Sequence, residues 1–169
     1  MNATTGKTNG KIKIRAIYCL LILIVLSLSS SLSFAQNISV NDNLSFGSIF
    51  PGVPKTVSKY TAGEAAEFHI DGTANAEITI DFTLPPYMYT TGDNMQIVFS
   101  TTDCAYDTSA VPDQTHPMTD NINPRHTIIT RLGSSGLTIW LGGSVIPTLN
   151  QKTGDYSGII VLTISYTSN

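Results

Sequence analysis

Side chains that could do acid–base or metal chemistry are few in this sequence. The three histidines are His69, His116 and His126, and His69 alternates with apolar neighbours, so we expect it on the wet face of a strand. His116 and His126 flank a polar segment with Asp113 and Asp120, and two histidines near two carboxylates could bind a metal. Nothing in their spacing fixes these ligands relative to one another. No serine lies in a G-x-S-x-G turn, so we predict that the protein is not an enzyme.

Calcium binding is the alternative chemistry that the same segment suggests. Its aspartates, Asp103, Asp107, Asp113 and Asp120, supply the hard oxygen ligands that Ca²⁺ prefers. Their spacing is not that of a dedicated calcium loop, and acidic side chains in a polar loop are usually just solvated. We expect no cofactor, with Ca²⁺ in this loop as the one alternative. Cys104 has no cationic neighbour in the sequence that would make it reactive, so we predict a buried, inert thiol.

Aromatic side chains offer a third kind of site. Tyr87 and Tyr89 lie in "PPYMYTTGDN", and Trp140 is the single tryptophan of the chain. Rings beside Asp and Asn can stack against sugars, so these three residues are candidate ligand contacts. Packing in the core or at its rim is the competing interpretation.

The chain opens with the three-part layout of a secretory signal peptide. A basic stretch without acidic residues precedes an apolar run at residues 16–28, and Ser33 and Ala35 are the small residues before a cut. The run of about 13 residues is shorter than the roughly 20 that span a membrane. We predict a signal peptide at residues 1–35, cleavage after Ala35, and a chain without a membrane span in the periplasm, at the cell surface or outside the cell. An uncleaved anchor is the alternative.

The remaining chain, residues 36–169, is acidic and contains one cysteine. Its five Lys and Arg residues against twelve Asp and Glu residues give a net charge of about −7. A surface of this charge repels phosphate backbones, so we exclude nucleic-acid binding. A single thiol allows no intrachain disulfide. The length suits one domain with a core of its own.

Period-2 alternation is the main structural signal. It occurs at residues 76–84, 95–99, 137–141 and 160–166, with Gly, Pro, Asn and Asp turns between the runs. This pattern predicts an all-β, antiparallel sandwich of about 7–9 strands, with a long irregular loop at about 101–125. The last run is apolar on both faces at its start, so we predict a central strand there.

The two ends of the predicted domain resemble the secreted bacterial domain of unknown function 4402. "LSFGSIFPG" and "TGDYSGIIVLTISY" carry the resemblance, with the matching positions Phe46, Gly47, Gly52, Gly154, Tyr156, Gly158 and Tyr166, and a "GTAN" turn precedes an alternating strand. The resemblance implies an immunoglobulin-like sandwich without an assigned activity, similar in outline to spore-coat-U-type and fimbrial subunits. The lone cysteine and the long loop depart from that outline.

The leader, the strand pattern, the family-like ends and the missing catalytic cluster together predict a secreted, non-enzymatic, structural or cell-surface domain, fimbria-like in character. An adhesin-like module that binds sugar or protein is the alternative. Partners would be a second copy or other surface subunits joined by strand pairing, or glycans. We favour a sandwich that closes by itself, with Tyr156 pinning the turn into the last strand. In the other arrangement, the segment with Ile38, Val40 and Leu44 is donated to a neighbour.

Overall fold

Twelve strands carry the fold of residues 37–167, which are the residues that the computed structural model describes. The predicted signal peptide lies outside this range. The strands are β1 Asn37–Asp42, β2 Lys55–Val57, β3 Ala66–Asp71, β4 Glu77–Thr83, β5 Tyr87–Thr90, β6 Asp93–Val98, β7 Cys104–Asp107, β8 Thr119–Ile122, β9 Ile128–Arg131, β10 Leu137–Leu141, β11 Gly143–Ile146 and β12 Val161–Tyr166. Over residues 37–167 no helix is long and apolar enough to cross a membrane.

The strands form three antiparallel sheets with the orders β1-β3-β10-β7-β8, β2-β11-β6-β5 and β12-β4-β9. Phe68 of β3 packs edge-on against Phe82 of β4, with ring centroids 6.1 Å apart, so the first sheet faces the third across the core. The predicted all-β sandwich is confirmed. It has more strands than the 7–9 expected because strands of three or four residues are too short to show a period.

Alternation on β4 and β6 was predicted correctly. Ile78 and Ile80 are fully buried, whereas Asp81 between Ile80 and Phe82 is exposed. On β6, Met95 and Ile97 are 3% and 5% exposed. A sheet with one face on the core forces this inward and outward division, which is why the sequence displays it.

The predicted irregular loop at residues 101–125 is wrong in part, because it contains β7 and β8. β7 pairs with β10, and its four residues are buried or half-buried on both faces, so it shows no alternation. β8 is a polar edge strand whose composition resembles a loop. Residues 101–103, 108–118 and 123–125 lie outside these two strands.

The last strand is an edge strand, which corrects the prediction of a central one. β12 pairs along its whole length with β4, from Val161 opposite Thr83 to Tyr166 opposite Ile78. β9 occupies the other side of β4, and β12 has no second neighbour among residues 37–167. The apolar residues that suggested burial are exposed, Ile159 by 80% and Val161 by 46%.

Candidate functional site

The two ends of the domain that share the family resemblance lie together around one cleft. Residues 44–49 form one wall and residues 151–156 the other, with Met88 and Met95 at the floor. Its volume is about 610 Å³, within the range of small-molecule pockets. Four of the motif residues, Phe46, Gly47, Gly154 and Tyr156, line it. These motifs are therefore two halves of one feature, although more than a hundred residues separate them in the sequence.

Tyr156 holds the second wall in place. Its hydroxyl donates to Asp93 Oδ2 at 2.8 Å, with the Lys152 carbonyl 3.0 Å away, and accepts from Gln151 Nε2 at 2.8 Å. The Lys152 backbone N–H, followed by the Tyr156 hydroxyl, holds the pKa of Asp93 below its ordinary value. Burial, together with the hydrogen-bonded Asp93, raises the pKa of Tyr156. The hydrogen bonds of the Tyr156 hydroxyl are thus made to groups within the domain.

Gly47 and Gly154 have physical reasons to be glycine, whereas a Cβ on Gly158 would meet its nearest neighbours at 3.4 Å, an ordinary contact. Gly47 follows the buried Phe46 at a φ of +56°, which favours glycine. A Cβ on Gly154 would lie 2.9 Å from Thr90 Oγ1. Tyr166 lies outside the cleft, where its hydroxyl accepts from the Thr73 backbone N–H at 3.3 Å. These contacts give the motif residues structural roles.

Two of the three aromatic candidates for sugar contact lie side by side. The Tyr87 and Tyr89 rings lie 6.4 Å apart with an interplanar angle of 57° on the edge strand β5, and they are 39% and 56% exposed. They border a shallow groove with Pro85 and Ile159. Two backbone bonds between Tyr89 and Ser157, of 2.8 and 3.0 Å, fix β5 there.

Trp140 is not part of this pair. It is 2% exposed, in the middle of β10, and its indole Nε1 donates to Glu67 Oε2 at 2.9 Å. All five residues of β10 are buried because β3 and β7 flank the strand and both of its faces are covered. This burial removes Trp140 from the candidate ligand contacts.

One edge of the sandwich is open, between β1 and the segment that enters β12. Val40 pairs with Phe68 and so points toward the core layer, yet it is 56% exposed. A slot of about 140 Å³ lies there, lined by Val40, Phe68 and Ile160 among others. Leu162 and Ile164 of β12 are only half-buried. Apolar side chains that face inward at this edge are therefore incompletely covered.

The four loop aspartates are not gathered around one point. Asp103 accepts from the Ser100 backbone N–H at 2.7 Å, and Asp107 from those of Ser109 and Asp113 at 2.7 and 3.1 Å. Asp113 itself accepts from Thr115, chiefly its side chain, which lowers the pKa of Asp113 to about 2. Within residues 37–167, no three His, Cys, Asp or Glu side chains are grouped closely enough to hold a metal ion.

Asp120 is paired with Lys59, a residue that the sequence did not single out. Lys59 is 5% exposed, and its ammonium group lies 2.7 Å from Asp120 Oδ1. It also donates to the Thr102 carbonyl at 2.6 Å and to Asn121 Oδ1 at 3.1 Å. The Tyr60 hydroxyl donates to the same carboxylate. A lone lysine 61 positions before its partner carries no local signal, so only the fold reveals this buried ion pair.

The histidines serve local contacts. His69 is half-buried, and its ring bonds Thr138 Oγ1 at 2.9 Å and Asp71 Oδ1 at 3.2 Å. His116 is exposed and lies 3.3 Å from Asp113 Oδ2. Cys104 is fully buried, and desolvation raises the pKa of its thiol to about 12. The thiol is therefore protonated at neutral pH.

Comparison with known proteins adds no relative, since neither a family model nor a curated protein matches this chain.

Proposed function

We propose that this protein is a secreted, non-enzymatic structural domain of the cell surface, fimbria-like in outline, which assembles by pairing its edge strand β12 with another strand. The observation that carries the proposal is the edge of β12 that no other strand of residues 37–167 covers, beside which Ile159 and Val161 are exposed. Edge strands that stay unpaired are usually protected by charge, proline or bulges. β12 has none of these protections.

Two further observations support an assembly role. The hydrogen bonds of Tyr156, Lys59 and the loop aspartates are made within the domain, which supports a structural role for these polar side chains. The family resemblance of the cleft-forming motifs supports export and a surface role. The chain has few charged residues, and most of them are acidic. An apolar edge that stays exposed on such a chain is typical of a surface that a partner covers.

Surface fractionation of the native host tests the proposal. We expect the full chain to be exported and to be recovered in a large, protease-accessible surface assembly. Val161→Lys places a charge beside the free edge, so this variant should still be exported but released as a small species. Val111→Lys adds the same charge at an 84% exposed loop position and should remain assembled. A native chain recovered as a free monomer in the periplasm would contradict the proposal.

Glycan binding through Tyr87 and Tyr89 is a second candidate, favoured by their adjacent, exposed rings. Stacking on a sugar buries such rings without requiring a deep pocket. The double variant Tyr87→Ala/Tyr89→Ala should then lose binding on a glycan array, whereas Ile129→Ala, also at an exposed strand position, should retain it. Equal signals from both variants, or none from the native chain, would reject this candidate.

A further inference from the structure

We infer that the partner of β12 is β12 of a second copy, so that two chains join in an antiparallel pair about a twofold axis. The two three-stranded sheets then become one sheet of the order β9-β4-β12-β12-β4-β9. This inference rests on the proposed function and names its partner.

The chemistry of the sheet edges selects β12. β1 carries Asp42 and a register shift at its end, β8 carries Asp120, and β9 carries Arg131. β2 has only three residues. β5 is already bonded to Ser157. Residues 156–167 contain no charged residue and no proline, and β12 pairs with β4 without a register shift. Among the described edges, β12 is therefore the one that offers a regular, uncharged template to another chain.

Charge does not prevent a second copy from being the occupant. Each mature chain carries a net charge of about −7, so two copies repel wherever acidic surfaces meet. β12 is the uncharged strip along which they can approach. The nearest carboxylates on the same sheet, Glu77 and Asp81, lie one strand back on β4. Across the pair, the two β4 strands are three strand spacings apart, about 14 Å. This exceeds the Debye length of about 8 Å at physiological ionic strength, so the repulsion is largely screened.

Side-chain alternation makes β12 self-complementary in defined registers. A twofold axis perpendicular to the sheet keeps the inner faces of both copies on the same side. Leu162 and Ile164 must then pair with residues of the other strand that also point inward. This is possible only if the twofold axis passes beside a residue of β12, so that this residue pairs with its counterpart in the other copy, and not midway between two residues. The half-buried inner residues of one copy would cover those of the other. Pairing would therefore bury the apolar side chains that are incompletely covered at the open edge.

The outer face supplies apolar contacts beside the strand. Ile159 and Val161 are exposed there, and the Tyr87 and Tyr89 rings lie next to Ile159 along the shallow groove. Aromatic residues are enriched in protein interfaces and charged residues are depleted from interface centres. The patch fits both criteria.

Disulfide trapping tests the pair and its register. Thr163 is exposed on the outer face at the middle of β12. A residue beside the axis pairs with the same residue of the other copy, with the two Cα atoms about 5 Å apart, a distance that a disulfide spans. Single cysteines at Val161, Thr163 and Ser165 test the registers in which the axis passes beside one of these three outward-facing residues. Mixtures of the 161 and 163 variants, and of the 163 and 165 variants, cover axes at Leu162 and Ile164. Cys104 stays in place because it is buried.

We expect one of these five combinations to form disulfide-linked dimer on the order of a thousandfold faster than Val111→Cys, since pairing raises the local thiol concentration from micromolar to millimolar. A lysine at the edge should abolish this excess: Val161→Lys where position 161 is free, and Ile159→Lys, at an 80% exposed position, where position 161 carries the cysteine. An unchanged melt followed by Trp140 fluorescence would show that the fold is intact.

Two results would overturn the inference in different ways. If no combination exceeds the Val111→Cys control while Val161→Lys still releases the chain from the surface, β12 pairs with a different subunit and the proposed function stands. If Val161→Lys also remains in the surface assembly, the edge is not used and the proposed function fails with the inference.

Discussion

The Tyr156 hydroxyl donates a 2.8 Å hydrogen bond to Asp93 Oδ2, which joins the segment before the last strand to the first residue of β6. Gln151, 8% exposed, donates to both of these groups at 2.8 Å. The three side chains therefore form a closed polar network at the wall of the cleft. Because the three groups bond one another, removing one takes a hydrogen bond from each of the other two.

Replacement of Tyr156 should lower stability without affecting any surface contact. Tyr156→Phe deletes the hydroxyl and should lower the midpoint of urea unfolding, and Tyr156→Ala should lower it further because ring packing is lost as well. Urea unfolding followed by Trp140 fluorescence measures both. Tyr89→Phe, at a 56% exposed ring, is the matched control and should unfold like the native chain. An unchanged midpoint in both Tyr156 variants would contradict the structural role.

Stability should fall in acid, because hydrogen bonds hold the pKa values of several carboxylates down in the folded state. The side chain and backbone of Thr115 lower the pKa of Asp113 to about 2, from an ordinary value of 3.8. A carboxyl with a lowered folded pKa contributes stability in full above its unfolded pKa, and this contribution is lost as the pH falls through the folded value. Thermal melts should therefore shift downward between about pH 4 and pH 2. Asp113→Asn should show a smaller shift, whereas Asp155→Asn, in an exposed turn, should retain the native profile. Identical profiles for all three proteins would be the contrary result.

Lys59→Met should destabilise the domain and release the loop at residues 108–118. It leaves the Asp120 carboxylate and the Thr102 carbonyl without the buried ammonium group. Breaking one side of a buried pair costs about 3 kcal/mol, and partial exposure of Asp120 places this case at the low end. Limited proteolysis should then cut the loop sooner than in Lys55→Met, the control. Equal cutting rates and equal melts would show that the ion pair does not hold the loop.

Cys104 should resist thiol reagents in the folded protein. Full burial and a pKa of about 12 leave almost no thiolate at neutral pH. A chromogenic disulfide reagent should react with it only after urea unfolding, whereas Val111→Cys, which is exposed, should add one rapidly reacting thiol. Rapid reaction of Cys104 in the native chain would mean that this part of the sheet opens.

Strands that bury one face could be predicted from the sequence, and strands in other environments could not. β4 and β6 alternate because one face meets the core, so Ile80 and Asp81 reveal their sides directly. β7 is covered on both faces and β8 on neither, so neither strand alternates. Trp140 looked available because it alternates with Leu137, Ile139 and Leu141, yet both faces of β10 are covered.

The apolar start of β12 was misread because residue type alone does not distinguish an exposed apolar side chain from one in the core. Val161 and Ile159 suggested burial within the domain, whereas the fold leaves them at its edge. The role of Tyr156 as a turn pin was predictable from its glycine-flanked motif. Its partner Asp93 was not, because it lies 63 residues away and only the fold brings the two together.

Gly142 gives the fold a further property. It joins β10, at the centre of the five-stranded sheet, directly to β11, in the middle of the four-stranded sheet, and a Cβ at this position would lie 2.6 Å from the Val57 carbonyl oxygen. One uninterrupted stretch of backbone is thus an inner strand of two sheets. Neither sheet can open at its centre without removing an inner strand from the other. The amide hydrogens of β10 and β11 should therefore exchange with solvent at the same free energy, that of global unfolding, so the two sheets behave as one cooperative unit.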